Sequence, residues 1–280
     1  MATISSLLFL TLPGISQAFK VKDNFTIDLQ VLGIYQYQDV DDADADSTGR
    51  AAIAIEPSFS YTLTENDEFH LGLGFAGGNG LNLVSPFVLS TFDANLEDDV
   101  KNLNGRHRNY LLEAWYKHTF QFEQERSLGL TGGIIDASSY IDDNEFANDE
   151  GGQFLNEVFV NSPIANLPSY DVGGAVEFDA PLFSVRGVIM NSKNDDDDFN
   201  YYALQFGYKL ETGLGAGNYR VYGFTTNDRF FDPAGERRKA SGASASRWIR
   251  PLARISACSR ASVGKATMPP STTTACTRSG

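Results

Sequence analysis

Residues 25–37 read Phe-Thr-Ile-Asp-Leu-Gln-Val-Leu-Gly-Ile-Tyr-Gln-Tyr, and their parity decides the fold. Phe25, Ile27, Leu29, Val31, Gly33, Tyr35 and Tyr37 fall on one side, and Thr26, Asp28, Gln30, Leu32, Ile34 and Gln36 on the other. Side chains of an extended chain alternate between two faces, so this is a strand with one apolar and one mixed side. The pattern recurs outward from it. Apolar residues stand at every second position in 53–63, 69–75, 110–120, 128–134, 170–178, 183–189 and 202–210, and more weakly in 219–225. No stretch of similar length repeats at 3.6 residues, so the expected class is all-β, with nine strands.

The connections alternate in length. Short polar turns at 65–68, 121–127, 179–181 and 211–218 are interleaved with longer links at 38–50, 77–108, 136–169 and 191–199. Short turns at one end and long loops at the other predict a transmembrane antiparallel up-and-down β-barrel of the outer-membrane type. The apolar faces begin and end in Phe or Tyr, as aromatic girdles at two membrane interfaces do. A soluble β-sandwich also alternates. Against it, the opposite faces carry Gln30, Glu113, Lys117, Glu177, Arg186 and Gln205 in mid-strand, which suits a water-filled lumen.

Charge divides the 280-residue chain in two. Residues 1–235 hold thirteen basic against thirty-five acidic residues, a net of -22, whereas 236–280 hold nine basic against one acid, a net of +8. An acidic body of that size repels a phosphate backbone, which excludes nucleic acid as a partner. No run approaches the ~20 apolar residues of a spanning helix. Residues 4–15 form a short apolar run, and Ser16-Gln17-Ala18 offers small residues for cleavage, so residues 1–18 read as a secretory signal peptide without a basic start. Residues 19–235 contain no cysteine; both, Cys258 and Cys276, lie in the tail.

Few residues suggest chemistry. His70, His107 and His118 stand in no metal or nucleophile motif, and read as polar lining or interface residues. Asp41, Asp42, Asp44 and Asp46 lack the glycine and closing glutamate of a calcium-binding loop, and Asp195–Asp198 form a second acidic tip. Asp142, Asp143, Glu145, Asp149 and Glu150 could be drawn as a carboxylate pair for hydrolysis, but acids crowded in one loop are usually solvated. The expectation is therefore no catalysis, no metal and no cofactor.

The segment 131–174 has more specific content: Thr-Gly-Gly-Ile-Ile-Asp at 131–136, Phe146-Ala147-Asn148-Asp149-Glu150, Gln153-Phe154-Leu155-Asn156, Phe159-Val160-Asn161-Ser162-Pro163, and Pro168-Ser169-Tyr170 before Gly173-Gly174. With Leu112-Glu113-Ala114-Trp115-Tyr116 upstream, it resembles the carbohydrate-selective porins of Gram-negative outer membranes, over roughly residues 105–230. The resemblance implies a barrel of about sixteen strands, reached by export through the periplasm. It also implies passive diffusion of small sugars, and lipid and lipopolysaccharide as surroundings. Sugars offer apolar C–H faces and a rim of hydroxyls, so a selective passage needs aromatic surfaces beside short polar groups. Strand parity offers Glu113, Trp115 and Lys117 for the lumen wall. The 136–169 loop offers Tyr140, Phe146, Asn148, Gln153, Phe154, Asn156 and Phe159, either as sugar contacts or as packing against the wall. A structural or adhesive barrel without sugar transport is the alternative.

Nine strands fall short of sixteen, and residues 236–280, rich in Ser, Ala, Arg, Thr and Pro, do not continue the alternation. They read as a basic tail of low order and as the product of a reading-frame shift. Synonymous codons exist for 242–280 such that a shifted frame regains alternation and aromatics. A genuine basic extension is the competing account, and the DNA across codons 230–245 separates the two.

Overall fold

A computed structural model describes residues 3–41, 47–81, 84–85, 100–101, 103, 106, 110–143, 148, 160–161, 165, 167–194, 197–212, 215–227 and 243–249. Among the described residues there are twelve strands: β1 (Thr3–Lys22), β2 (Phe25–Asp41), β3 (Thr48–Thr64), β4 (Asp67–Leu73), β5 (Phe75–Gly77), β6 (Leu111–Phe122), β7 (Arg126–Ile135), β8 (Asp171–Asp179), β9 (Phe183–Asn194), β10 (Asp197–Thr212), β11 (Gly215–Thr226) and β12 (Ala243–Ile249). They form one antiparallel sheet in which neighbours in sequence are neighbours in space, from β1 to β12, with β5 pairing β3. Among the described residues no helix is long and apolar enough to cross a membrane.

All nine expected strands are present, as β2–β4 and β6–β11. The sheet, however, is not closed. The path ends at β1 and β12, which do not pair with each other among the described residues, so the structure shows an open antiparallel meander, a partial set of strands and not a closed barrel. Its eleven strands along the path fall short of the about sixteen that the resemblance implies. Two connections are shorter than expected. The link at 191–199 is mostly strand, with Asn191 opposite Asn200 and Asn194 opposite Asp197. The link at 38–50 shrinks to the residues between Asp41 and Thr48. Backbone pairing continues there although the apolar pattern has stopped. Residues 3–18 of the stretch read as a leader lie in edge strand β1, which pairs with β2 along its length; cleavage after Ala18 would leave only Phe19–Lys22 of β1 beside β2. The tail is not wholly without order, since β12 pairs with β11.

Links of two or three residues join β1–β2, β3–β4, β6–β7, β8–β9 and β10–β11 at one end of the sheet, and a link of two residues joins β9–β10 at the other. The break between β4 and β5 falls at Gly74, where a Cβ would stand 2.8 Å from Leu112 Cδ1.

The two faces differ in an unusual direction. One, here the open face, presents Tyr35, Ile53, Ile55, Phe69, Leu71, Tyr116, Phe120, Leu130, Val176, Ile189, Leu204 and Phe206 to the surroundings. The covered face buries Gln36, Gln38, Thr131, Ser184, Ser192 and Gln205. Leu204 is 61% exposed, whereas Gln205, next along β10, is 2% exposed. Water-soluble sheets arrange these the other way, and a continuous exposed apolar face marks an interaction with something apolar. On the open face Gly174, Gly187 and Gly223 leave a depression of about 900 Å³, rimmed by Leu130, Val176, Ile189, Tyr202 and Leu204.

Candidate functional site on the covered face

The covered face is built from cross-strand rows. Direct partners in a sheet share a face, so the register Ser60–His70–Trp115–Gly133–Gly173 places these positions in one line across β3, β4, β6, β7 and β8. Ser60 Oγ lies 3.1 Å from His70 Nδ1. The His70 ring stacks on the Trp115 indole, with centroids 4.8 Å apart and planes 13° from parallel. The indole Nε1–H donates to Glu113 Oε2 at 2.8 Å. Gly133 has φ 146, and a Cβ there would stand 2.2 Å from Ala114 O and 2.7 Å from Trp115 Cα. Only glycine lets β7 approach β6 this closely beside the indole.

Toward the short-turn end the same face carries an ionic ladder. Lys117 Nζ meets Glu177 Oε2 at 2.5 Å, and Glu177 Oε1 lies 3.7 Å from Arg186 Nε. Arg186 Nη2 also donates to both carboxylate oxygens of Asp179 at 2.9 Å. Lys117 and Glu177 belong to β6 and β8, separated by β7. Gly129 leaves the room for them to meet, since a Cβ there would stand 2.9 Å from Lys117 Cε.

The segment leaving β7 folds onto this face as a strap. Asp136 caps a 3-10 helix, Ala137–Ser139, its Oδ1 accepting from the backbone N and the Oγ of Ser138, each at 2.7 Å. Tyr140 and Ile141 then join a buried cluster with Ile135, Ala165, Val188, Met190, Tyr201 and Tyr222, against which Trp115 packs. One side chain of β10 holds the strap's backbone at two points: Gln205 Oε1 accepts from Asp142 N at 2.9 Å, and Gln205 Nε2 donates to Tyr140 O at 3.4 Å. Arg220 Nη1 pairs with Asp143 Oδ1 at 2.8 Å. The returning part of the loop is tied in too. Asn161 Nδ2 donates to Asp142 O and Asn148 Oδ1, and Tyr201 Oη donates to Ala165 O.

Burial sets the electrostatics of the strap. It pushes the Asp136 carboxyl above the ordinary carboxylate range, against the opposing hydrogen bonds from Ser138. It pushes the Tyr140 hydroxyl up to about 12. Burial also raises Asp143, with Arg220 and Arg186 pulling the other way.

Of the residues singled out in the sequence, Glu113, Trp115 and Lys117 lie together on the covered face, half-buried. Tyr140 is 6% exposed, within the packed cluster. Asn148 accepts a hydrogen bond within the loop. Phe146, Gln153, Phe154, Asn156 and Phe159 lie outside the described residues. Arg220 stands in no motif of the sequence, and only its parity opposite Tyr219 and Val221 marks it. The seats that Gln205 and His70 provide are revealed by the register alone. Among the described residues no cluster of three metal-ligating side chains occurs.

No known family profile matches the chain, and neither does any solved structure. An uncharacterized protein of Aquifex aeolicus (strain VF5) is similar to it, 36% identical over 137 residues. The match covers 49% of this chain and 40% of that protein, so the chain spans less than half the length of the relative it matches.

Proposed function

We propose that the chain is part of an outer-membrane porin that lets small sugars diffuse passively, with the open face toward lipid and the covered face toward the lumen. The observation that carries this reading is the inverted sheet: large apolar side chains outward, polar and ionic groups enclosed. A lipid-facing wall requires that arrangement, and a water-exposed one is penalised by it. The dimensions agree. From Phe25 to Tyr35 is ten steps, about 34 Å along the strand, which a tilt of about 40° reduces to about 26 Å, close to the height of the apolar band of such barrels.

The enclosed ions are paired with one another, as in Lys117–Glu177, Arg186–Asp179 and Arg220–Asp143. Paired charges leave a wall suited to neutral, hydroxyl-rich solutes. The residues that resemble the carbohydrate-selective porins, Leu112–Tyr116 and the signature of 131–174, supply the sugar preference. Closure requires strands beyond the eleven of the path, because an open edge at membrane depth leaves unsatisfied backbone groups at several kcal/mol each. Liposome swelling with mono- and disaccharides, set against amino acids and salts of similar size, tests the reading on the protein with its reading frame restored. Failure of any solute to permeate would count against it. The packing of Tyr140 and Ile141 over the covered face favours a second reading, a structural barrel with a filled lumen, which the same swelling assay distinguishes.

A further inference from the structure

Asp143 rests in a receptor made of three side chains from three adjacent strands. Arg220 on β11 meets it at 2.8 Å. Gln205 on β10 accepts from the backbone N of the neighbouring Asp142 at 2.9 Å, and the positive charge of Arg186 on β9 favours the ionised carboxylate. Arg186 and Gln205 are direct cross-strand partners. Gly207, the direct partner of Arg220, keeps the floor beneath it low; a Cβ there would meet Ser184 Oγ at 2.6 Å. The two sides of this contact are unequal in exposure. The receptor stands on paired strands, and the Arg220 side chain is 16% exposed. Asp143 sits on a strap, and its side chain is 42% exposed.

We infer that Arg220, Gln205 and Arg186 form an anion seat which the chain occupies with its own carboxylate, so that a dissolved phosphate or carboxylate competes with Asp143 and loosens the strap. Arginine binds the two anion types by the same planar fork of donors. Arg186 is already engaged twice by Asp179, so Arg220 is the cation that Asp143 leaves behind when it departs. An unpaired, enclosed arginine is costly, and an incoming anion relieves that cost. This seat is a property of the covered face and does not depend on whether the chain conducts solutes.

Inorganic phosphate is the probe, titrated by calorimetry into the full chain in detergent micelles, against sodium chloride at matched ionic strength to remove screening. An internal carboxylate that holds the seat about nine-tenths of the time weakens an outside anion about tenfold. Asp143→Asn is therefore expected to bind phosphate about tenfold more tightly than the unaltered chain, and Asp143→Asn with Arg220→Gln to lose that binding. Equal affinity before and after Asp143→Asn, or binding that survives Arg220→Gln, overturns the inference. A second measurement uses the unaltered chain, which removes any question of misfolded variants. Proteolysis within residues 137–143 should accelerate in phosphate relative to matched chloride, and equal rates in the two salts also overturn it.

Discussion

Replacing Leu204 by arginine separates a membrane wall from a water-exposed sheet more sharply than any change on the covered face. Leu204 lies midway along β10, 61% exposed, with Val176, Leu130 and Ile189 around it on the open face. In water such a substitution touches nothing and changes stability by no more than about 0.5 kcal/mol. At the midplane of an outer-membrane barrel, arginine on the lipid face costs about 2–4 kcal/mol. Since 1.36 kcal/mol is a factor of ten, that is about 30- to 900-fold in the folding equilibrium. Tyr208→Arg, four residues nearer the short-turn end on the same face, should cost only about 0–1 kcal/mol, because the penalty fades toward the interface. Urea titration of the protein in lipid vesicles, followed by tryptophan fluorescence and gel mobility, gives both values. A lipid-free monomer in which Leu204→Arg is as stable as its parent, or no difference between positions 204 and 208, would refute the reasoning.

Three further outcomes follow from the covered face. Gly133→Ala should destabilise the sheet by at least about 1–3 kcal/mol, because φ 146 and a 2.2 Å approach to Ala114 O exclude a Cβ; denaturant unfolding measures it, whereas Gly132→Ala, with nothing within 4 Å, should be nearly silent. Asp136→Ala should loosen the strap by about 1 kcal/mol through loss of the cap, while Asp136→Asn keeps the cap and loses little; protease cleavage rates within 137–143 compare them. The same assay has a pH dependence. Burial raises the folded-state value of Asp136, so the folded strap binds its proton more tightly than the released one does. Strap stability therefore falls as pH climbs from about 4, the ordinary carboxylate value, through the raised one. Cleavage should be slower at the acid end of that window, and Asp136→Asn should reduce the dependence to the part that Asp143 contributes.

The strands that alternate were legible because a period of two records which side chains face each environment. Phe25 to Tyr37 carries that record, and so does Tyr202 to Leu210. The residues that escaped pair without an apolar signal. Asn191, Ser192 and Asn200 extend β9 and β10 by backbone pairing and by polar side-chain bonds such as Asn191 Nδ2 to Asn200 Oδ1, with no apolar side chain among them. β5 has three residues, too few for any period, and β12 places Ser244 and Ser246 opposite Gly223 and Val221, so its sequence shows no apolar face. At the site, parity was enough to group Glu113, Trp115 and Lys117. That Lys117 reaches Glu177 across a strand depends on Gly129 and on the register of three strands, which no local pattern encodes. The strap's seat on Gln205 and Arg220 depends on a loop turning back over 60 residues of sequence, with Asp142 in a left-handed conformation at φ 59. Loop geometry of that kind is set by tertiary contacts.

The central claim, that alternate residues face lipid, is tested most directly by an environment-sensitive fluorophore placed on single cysteines at positions 203, 204, 205 and 206, in a background lacking Cys258 and Cys276. Brominated lipid and aqueous iodide are the two quenchers, applied to the vesicle-inserted protein. The account predicts quenching by brominated lipid at 204 and 206 and weak quenching at 203 and 205. Equal quenching by lipid at all four positions, or strong iodide quenching at 204 and 206, would contradict it.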